Sequence, residues 1–424
     1  MRKFFILYNK RINNLSIIII LFSIFLLSNF FSIQIVNKNK IKKIVQDKGW
    51  KIIKEVGNRG KILDRENREL AISIKKYDFW VNTKEMIDKQ KIVKLFSETF
   101  NNEEDYYLKK LDKTTKYLRI EKNLQFLDAE PILNEYQNIN GLNVDITQQR
   151  FYPYNELAAQ TIGYLNLNGF GIGGIEGNFN NVLQGDTASI KLRKGSKGKY
   201  YRRVNSISNI EQGKNITLTI DIELQKFMQE ELDLIVKSTG AKTANGIIID
   251  PFTGDILAMS TVPSFDPNKY YDYNIDTYKN RTISDAYEPG STFKIVGLAA
   301  FIENFTYNLD EKYNCENGSY ILKNGKLLRD HEPYDSLNIV DIFAHSSNIG
   351  MSKIIENMNN IDLFKYCKLF GFGTKTGISL GDESKGFLRV NNDWSKTSKT
   401  YISIGQELSV TNLQLAMSYG AIAN

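Results

Sequence analysis

The chain has 424 residues, 42% of them hydrophobic and 24% charged, with a formal charge of +7; this is globular composition with room for two or three domains and excludes a disordered chain. The charge is spread over a Lys-, Asn- and Ile-rich sequence without a dense basic block interleaved with aromatics, which argues against nucleic acid as a partner. Two His and two Cys, far apart from one another, form no cluster with metal-ligand spacing, so neither a metal nor a cofactor is expected. Cys315 and Cys367 read as small buried hydrophobes, and no disulfide is assigned to them.

Behind a short tail, residues 1–14, Leu15 to Val36 is almost wholly apolar and uncharged. At 1.5 Å per residue it is long enough to cross a bilayer core of about 30 Å. Bulky Phe30, Phe31 and Ile33 stand where a cleaved signal peptide would have small residues, so residues 15–36 are expected to be an uncleaved anchor. Arg2, Lys3, Lys10 and Arg11 on one side face Lys38, Lys40, Lys42 and Lys43 on the other, and charge counting does not orient the span. The large remainder suits export of the C-terminal part.

Residues 37–56 form a basic, helix-compatible linker, and residues 57–236 a first folded unit. Arg59-Gly60-Lys61-Ile62-Leu63-Asp64-Arg65 opens it, followed by two expected short strands, Leu70 to Ile74 and Tyr77 to Val81. Lys84 to Tyr136 is helical in pattern, with Leu95, Phe96, Leu108, Leu111 and Leu118 as apolar faces. Gly169 to Gly177 is expected to be a tight loop, since no strand leads directly into it and no Gly-Lys-Ser/Thr follows. Arg193 to Arg203 reads as a basic hairpin or loop, Asn215 to Ile220 as a strand and Ile222 to Val236 as an amphipathic helix. A second unit, residues 245–424, opens with strand, turn and strand across Gly246 to Met259.

The chemistry centres on Pro289-Gly290-Ser291-Thr292-Phe293-Lys294 and the apolar run after it. Pro289-Gly290 ends what precedes, so Ser291 falls at the N-cap or first turn of a helix, where free backbone N–H groups and the helix dipole favour a developing alkoxide. Residues at i and i+3 share a face, which sets the Lys294 amine beside the Ser291 hydroxyl, while Phe293 and Ile295 pack the helix into a core. An amine in a dry site can lose its proton near neutral pH and act as base to an acyl-accepting serine. Ser-x-x-Lys recurs at Ser73 to Lys76 and Ser196 to Lys199, but only Ser291 follows a Pro-Gly break and opens an apolar helix. A short helix over Leu337 to Ala344 ends at His345-Ser346-Ser347-Asn348, where a hydroxyl could relay a proton and an amide could hold a peptide.

Together the anchor, Arg59 to Arg65, Gly174-Ile175-Glu176, Tyr287 to Lys294, Ser346-Ser347-Asn348, Phe370-Gly371-Phe372-Gly373 and Thr376-Gly377 resemble the class B penicillin-binding proteins. Ser346-Ser347-Asn348-Ile349-Gly350 is similar to the septal, cell-division branch; the elongation-type enzyme, the alternative, usually has Asp in place of Asn348. The resemblance implies an α+β chain with a transmembrane helix, an elongated mixed pedestal domain and a penicillin-binding transpeptidase domain, a serine β-lactamase-like sheet flanked by helices. It implies a DD-transpeptidase that crosslinks peptidoglycan stem peptides ending in D-Ala-D-Ala and is acylated by β-lactam antibiotics. In it Ser291 is the nucleophile, Lys294 the base for acylation, Ser346 the proton relay to the leaving amine and Asn348 the residue that orients the donor. The implied location is the bacterial inner membrane with the catalytic domain in the periplasm. The implied partners are a SEDS-type lipid II glycosyltransferase and other division proteins.

One departure stands out. The family's third motif, Lys-Thr/Ser-Gly, lies far downstream of the second, whereas Lys375-Thr376-Gly377 follows Asn348 closely, in a setting that resembles an intervening loop; it is read as a decoy. Val410 to Ala416 resembles a helix that precedes the third motif, so the transpeptidase domain is expected to be incomplete at its C-terminus. Two readings of other classes follow: a membrane-anchored division scaffold or sensor that binds without turnover, and a β-lactamase or carboxypeptidase, which the anchor, the long pedestal and the lack of a placed carboxylate to activate water disfavour.

Overall fold

The computed structural model describes residues 2–40, 50–194, 200–202 and 211–424. They fall into two compact units, one drawn from Met1–Gly57 and Gly185–Gln212, the other from Asn58–Gln184 and Gly213–Asn424.

The first unit holds the apolar helix. Arg2–Phe31 is α-helical and continues as a π-helical turn, Ser32–Val36. The stretch Asn14–Val36 is long and apolar enough to cross a membrane, with none of its window buried by protein. Its length and composition are those of a membrane span. The unit also has a three-stranded antiparallel sheet in which Thr187–Lys194 lies between Trp50–Val56 and Tyr200–Arg202. Of the hairpin or loop expected from Arg193 to Arg203, hairpin pairing is present, Lys194 opposite Tyr200, whereas residues 50–56 of the expected helix-compatible linker are a strand, satisfied by pairing with Thr187–Lys194; residues 41–49, 195–199 and 203–210 lie outside the described residues.

In the second unit the sequence reading needs correction at several elements. The two expected short strands are one strand, Glu69–Asn82, which runs on through Lys75 and Lys76 because it pairs with Leu142–Phe151 from Ile72 to Val81. Two lysines between apolar runs looked like a break, yet cross-strand pairing satisfies the backbone there whatever the side chains. The expected helical region Lys84 to Tyr136 is three helices, Lys89–Phe100, Glu104–Leu111 and Phe126–Glu135, interrupted by the strand Tyr117–Leu124. Leu118 belongs to that strand, where it and Ile120 alternate inward, a period of two hidden between charge-rich helices. The strand expected from Asn215 to Ile220 is reduced to Ile216–Thr217, parallel to Ile62–Leu63. Phe79, Val81, Ile92, Phe96 and Tyr107 form the core beneath this sheet.

The motif residues at the start of this unit make a buried ionic hub. Glu176 is fully buried and accepts from Arg59 Nε at 2.7 Å and from Arg150 Nε at 2.6 Å. Arg59 also donates to Asn180 Oδ1 and to the Glu176 carbonyl, and Arg150 to the Gly60 carbonyl at 2.8 Å. Glu176 sits on a short helix, Gly174–Asn178, right after the strand pair Tyr164–Leu165 and Gly171–Ile172. The glycine-rich stretch is thus a hairpin plus helical turn that delivers a carboxylate to two guanidiniums. A Cβ on Gly60 would lie 1.9 Å from the Lys214 carbonyl oxygen, so no larger residue fits beside the hub.

The helix Ile222–Thr239, capped by Asp221, packs on the hairpin formed by Ala244–Ile249 and Ile256–Val262. Its fully buried Gln225 bonds both the N–H and the carbonyl of Met259, closing the backbone between helix and strand. The remaining chain is mainly helical around one core that includes Phe293, Val296, Ile342, Ile349, Met351, Cys367 and Phe372. Cys315 and Cys367 are both buried and free.

Candidate active site

The Pro289-Gly290 break works through glycine at two places. Gly290, at φ +59°, donates its N–H to the Gly405 carbonyl at 3.0 Å. Gly405 has φ +78°, and a Cβ there would lie 2.0 Å from the Gly290 carbonyl oxygen, so only glycine allows this approach. Ser291 lies in the 3-10 turn Gly290–Phe293, and the α-helix proper begins at Lys294 and runs to Asn304. The expected first helical turn is therefore tighter than an α turn. In a 3-10 turn side chains three apart eclipse, which sets Ser291 and Lys294 on one face. The Lys294 N–H closes the turn on the Ser291 carbonyl. Thr292 Oγ1 donates to the Pro289 carbonyl at 2.8 Å, Tyr419 OH donates to the Thr292 carbonyl at 2.8 Å, and fully buried Phe293 packs on Phe372 with centroids 4.8 Å apart. The turn is thus held from three sides, with the Ser291 side chain exposed.

Lys294 is only 1% exposed. Its Nζ donates to the Ser346 carbonyl and, at 2.9 Å, to Ser346 Oγ. Both partners are neutral. Burial brings the Lys294 pKa down from 10.5 to about 8, and the more distant Asp330 carboxylate opposes that fall. About one Lys294 in ten is then neutral at pH 7, against about one in several thousand for a free lysine. Among the described residues the Ser291 hydroxyl makes no hydrogen bond, so the turn brings Lys294 to its face without an observed Ser291–Lys294 bond.

The expected helix over Leu337 to Ala344 begins later, at Ile339, because Ser336–Asn338 pairs as a strand with Lys312–Asn314 and Asn338 caps the helix from outside. Ser346 follows at φ +56°, a left-handed kink between that helix and Asn348–Ile354. Gly350 permits the two helices to meet: a Cβ there would lie 2.5 Å from the Ile342 side chain. Ser347, not Asn348, is the N-cap of the second helix, accepting from the Gly350 N–H at 2.8 Å. The Asn348 side chain donates to the Arg329 carbonyl at 3.0 Å.

Lys375 is exposed, and among the described residues its amine has no hydrogen-bond partner. Its neighbours are tied inward: Thr376 N and Oγ1 both donate to Glu383 Oε1 at 2.6 Å, and Gly377 N to the other oxygen at 3.3 Å. Lys375-Thr376-Gly377 is a loop wrapped on a buried carboxylate. Two residues of the site escaped the sequence reading, Gly405 and Asp330. Each acts across a long gap in the chain, and neither carries a local spacing signal.

Residues 245–424 match the family of the penicillin binding protein transpeptidase domain, and residues 54–218 that of the penicillin-binding protein dimerisation domain. A curated relative from Buchnera aphidicola subsp. Schizaphis graminum, peptidoglycan D,D-transpeptidase FtsI, is 30% identical over 98% of this chain and 73% of its own length. The protein of that name from Escherichia coli K12 is 28% identical over 94% of this chain and 68% of its own. Penicillin Binding Protein 2X from Streptococcus thermophilus shares the fold, with a TM-score of 0.73 at 22% identity over 88% of this chain and 59% of that one. With both domain matches and a relative at 30% identity, the chain belongs to the class B penicillin-binding proteins, in the family of septal peptidoglycan D,D-transpeptidases.

Proposed function

We propose that this chain carries out the chemistry of its family, septal peptidoglycan D,D-transpeptidation, through an acyl-enzyme on Ser291. The supporting observation is the Lys294 amine: buried, held by two neutral oxygens of Ser346 and set on the face of Ser291 by a 3-10 turn. Neutral Lys294 takes the Ser291 proton as Oγ attacks the carbonyl between the two terminal D-alanines of a stem peptide. The turn's free N–H groups and the helix dipole favour the negative charge that builds on oxygen. As the C–N bond breaks, Ser346 passes a proton, replaced from Lys294, to the departing D-alanine amine. An amine of a neighbouring stem then attacks the ester, forming the crosslink and restoring the Ser291 hydroxyl. Asn348, anchored on Arg329, orients the donor peptide. A β-lactam ring opens on the same serine, and its leaving nitrogen stays tethered, so the acyl-enzyme persists.

In this reading residues 57–236 are the pedestal, residues 245–424 the transpeptidase domain, and the apolar helix crosses the bacterial inner membrane once, with the rest of the chain in the periplasm. Partners expected through the anchor and pedestal are a SEDS-type lipid II glycosyltransferase and other division proteins. The test is labelling by a fluorescent penicillin. The parent should be labelled and Ser291→Ala should not, with an unchanged melting transition; a labelled alanine variant would remove Ser291 from the reaction. Protease treatment of spheroplasts should cleave the domains after the span, and protection of them would reverse the topology.

A further inference from the structure

The second half of the site hangs from a carboxylate that lies outside its tetrapeptide. Asp330 follows the short strand Leu327–Arg329 and reaches the first turn of the helix Asn348–Ile354. Its Oδ1 accepts the N–H groups of Asn348 at 2.5 Å and Ile349 at 2.9 Å, and its Oδ2 accepts the Ser347 hydroxyl at 2.6 Å. Ser347 in turn accepts from Gly350 N. One side chain thus satisfies two of the helix's orphan donors and fixes the orientation of its N-cap, where a negative charge also suits the dipole. The residue just before this clamp is Ser346, kinked at φ +56°, with both of its oxygens on Lys294. The residue inside it is Asn348, whose side-chain amide bonds the carbonyl of Arg329, next to Asp330 in sequence.

We propose that Asp330 is a positioning residue for the acyl transfer: its carboxylate clamps residues 347–349 and so sets the Ser346 hydroxyl on Lys294 and the Asn348 amide on the Arg329 carbonyl. This rests on the reading of Ser291, Lys294, Ser346 and Asn348 given above. A left-handed serine is strained unless its neighbours over-determine it, and a charge-assisted clamp on the three following residues does so. The clamp also has an electrical consequence. Among the described residues the titratable groups within electrostatic reach of Asp330 are Lys294, the Cys315 thiol 3.7 Å from Ser347 Oγ, and Tyr334 of its own loop; Lys353, paired with Glu316, also acts on Cys315. Among them Lys294 is the cation that Asp330 favours, since the negative charge works against the loss of its proton.

Two substitutions separate clamp from charge. Asp330→Ala removes both, whereas Asp330→Asn keeps an acceptor for the Asn348 and Ile349 N–H groups but loses the charge. Two readouts apply: hydrogen–deuterium exchange of the peptide spanning residues 346–350, and acylation by a fluorescent penicillin from pH 6 to 9. The alanine variant should exchange at least about tenfold faster in that peptide and acylate at least about tenfold more slowly, with other peptides unchanged. The asparagine variant should exchange within about threefold of the parent, with the acid limb of its acylation profile moved to lower pH. Competitive acetylation of Lys294 with acetic anhydride across the same range reads its proton without any turnover. Unchanged exchange in the alanine variant, or an unmoved Lys294 titration in the asparagine variant, overturns the proposal. If the parent is not acylated, the nucleophile reading fails by itself, and exchange and acetylation still decide the role of Asp330.

Discussion

The molecule buries charge in two places and treats it in opposite ways. In the hub within the dimerisation-domain match the Glu176 carboxylate meets two guanidiniums, and each arginine spends further donors on a carbonyl or an amide. Around Lys294 a buried cation meets, among the described residues, a carbonyl and a hydroxyl and no carboxylate. Breaking the paired charges leaves an ion stranded in low dielectric. The amine without a carboxylate beside it is destabilised as an ammonium, and its proton becomes available. Burial builds architecture where charge is matched and reactivity where it is not.

The contrast is open to direct attack. Glu176→Ala should leave two buried guanidiniums unmatched and destabilise the fold by about 3–5 kcal/mol, read as a lower denaturant midpoint; a loss below about 1 kcal/mol would show the hub to be wet or dispensable. Lys294→Ala should do the reverse. Removing a general base slows penicillin acylation by about 10²–10⁴-fold, while deleting an unfavourable buried cation leaves stability level or raised. Acylation near the parent rate would take Lys294 out of the mechanism.

The pH dependence sharpens the same point. Folded Lys294 gives up its proton at about 8, the unfolded chain near 10.5. Between these values the unfolded state holds a proton that the folded state lacks, so this group's contribution to stability rises with pH across that window and its penalty is fully present below it. Parent minus Lys294→Met stability should climb from pH 8 to 10, the range above the acid limb of acylation, which should level off as pH passes about 8; a flat difference would mean an ordinary lysine. The smallest effect is expected at Lys375. Its exposed amine predicts that Lys375→Ala keeps acylation within about threefold of the parent, under roughly 0.7 kcal/mol. A tenfold loss would make the Lys375-Thr376-Gly377 loop part of the site.

Legibility followed contact distance along the chain. Ser291 and Lys294 lie three residues apart, and a helical turn sets such residues on one face, so their shared face was readable although the turn is 3-10 rather than α and no bond joins them among the described residues. Ser346 and Asn348 were readable as a resemblance; that Lys294 bonds Ser346, fifty-two residues away, was not. The strand Tyr117–Leu124 was lost because two inward residues, Leu118 and Ile120, are a short signal between helices with the same charge content. The Glu383 carboxylate that ties Thr376 is local and could have been found, seven residues on in an Asp-Glu pair.

By itself the sequence determined an apolar span, an α+β body and a serine and lysine at helical spacing behind a Pro-Gly break, because each depends on runs or spacings that short-range backbone geometry converts directly into structure. Tertiary structure alone decided which buried charges are matched. Glu176 finds Arg59 across 117 residues and Arg150 across 26, while among the described residues Lys294 finds no carboxylate in contact. Whether a charged side chain is a strut or a base is set by what the fold brings within about 4 Å of it, and electrostatic energy in a low dielectric depends on that distance, not on separation along the chain.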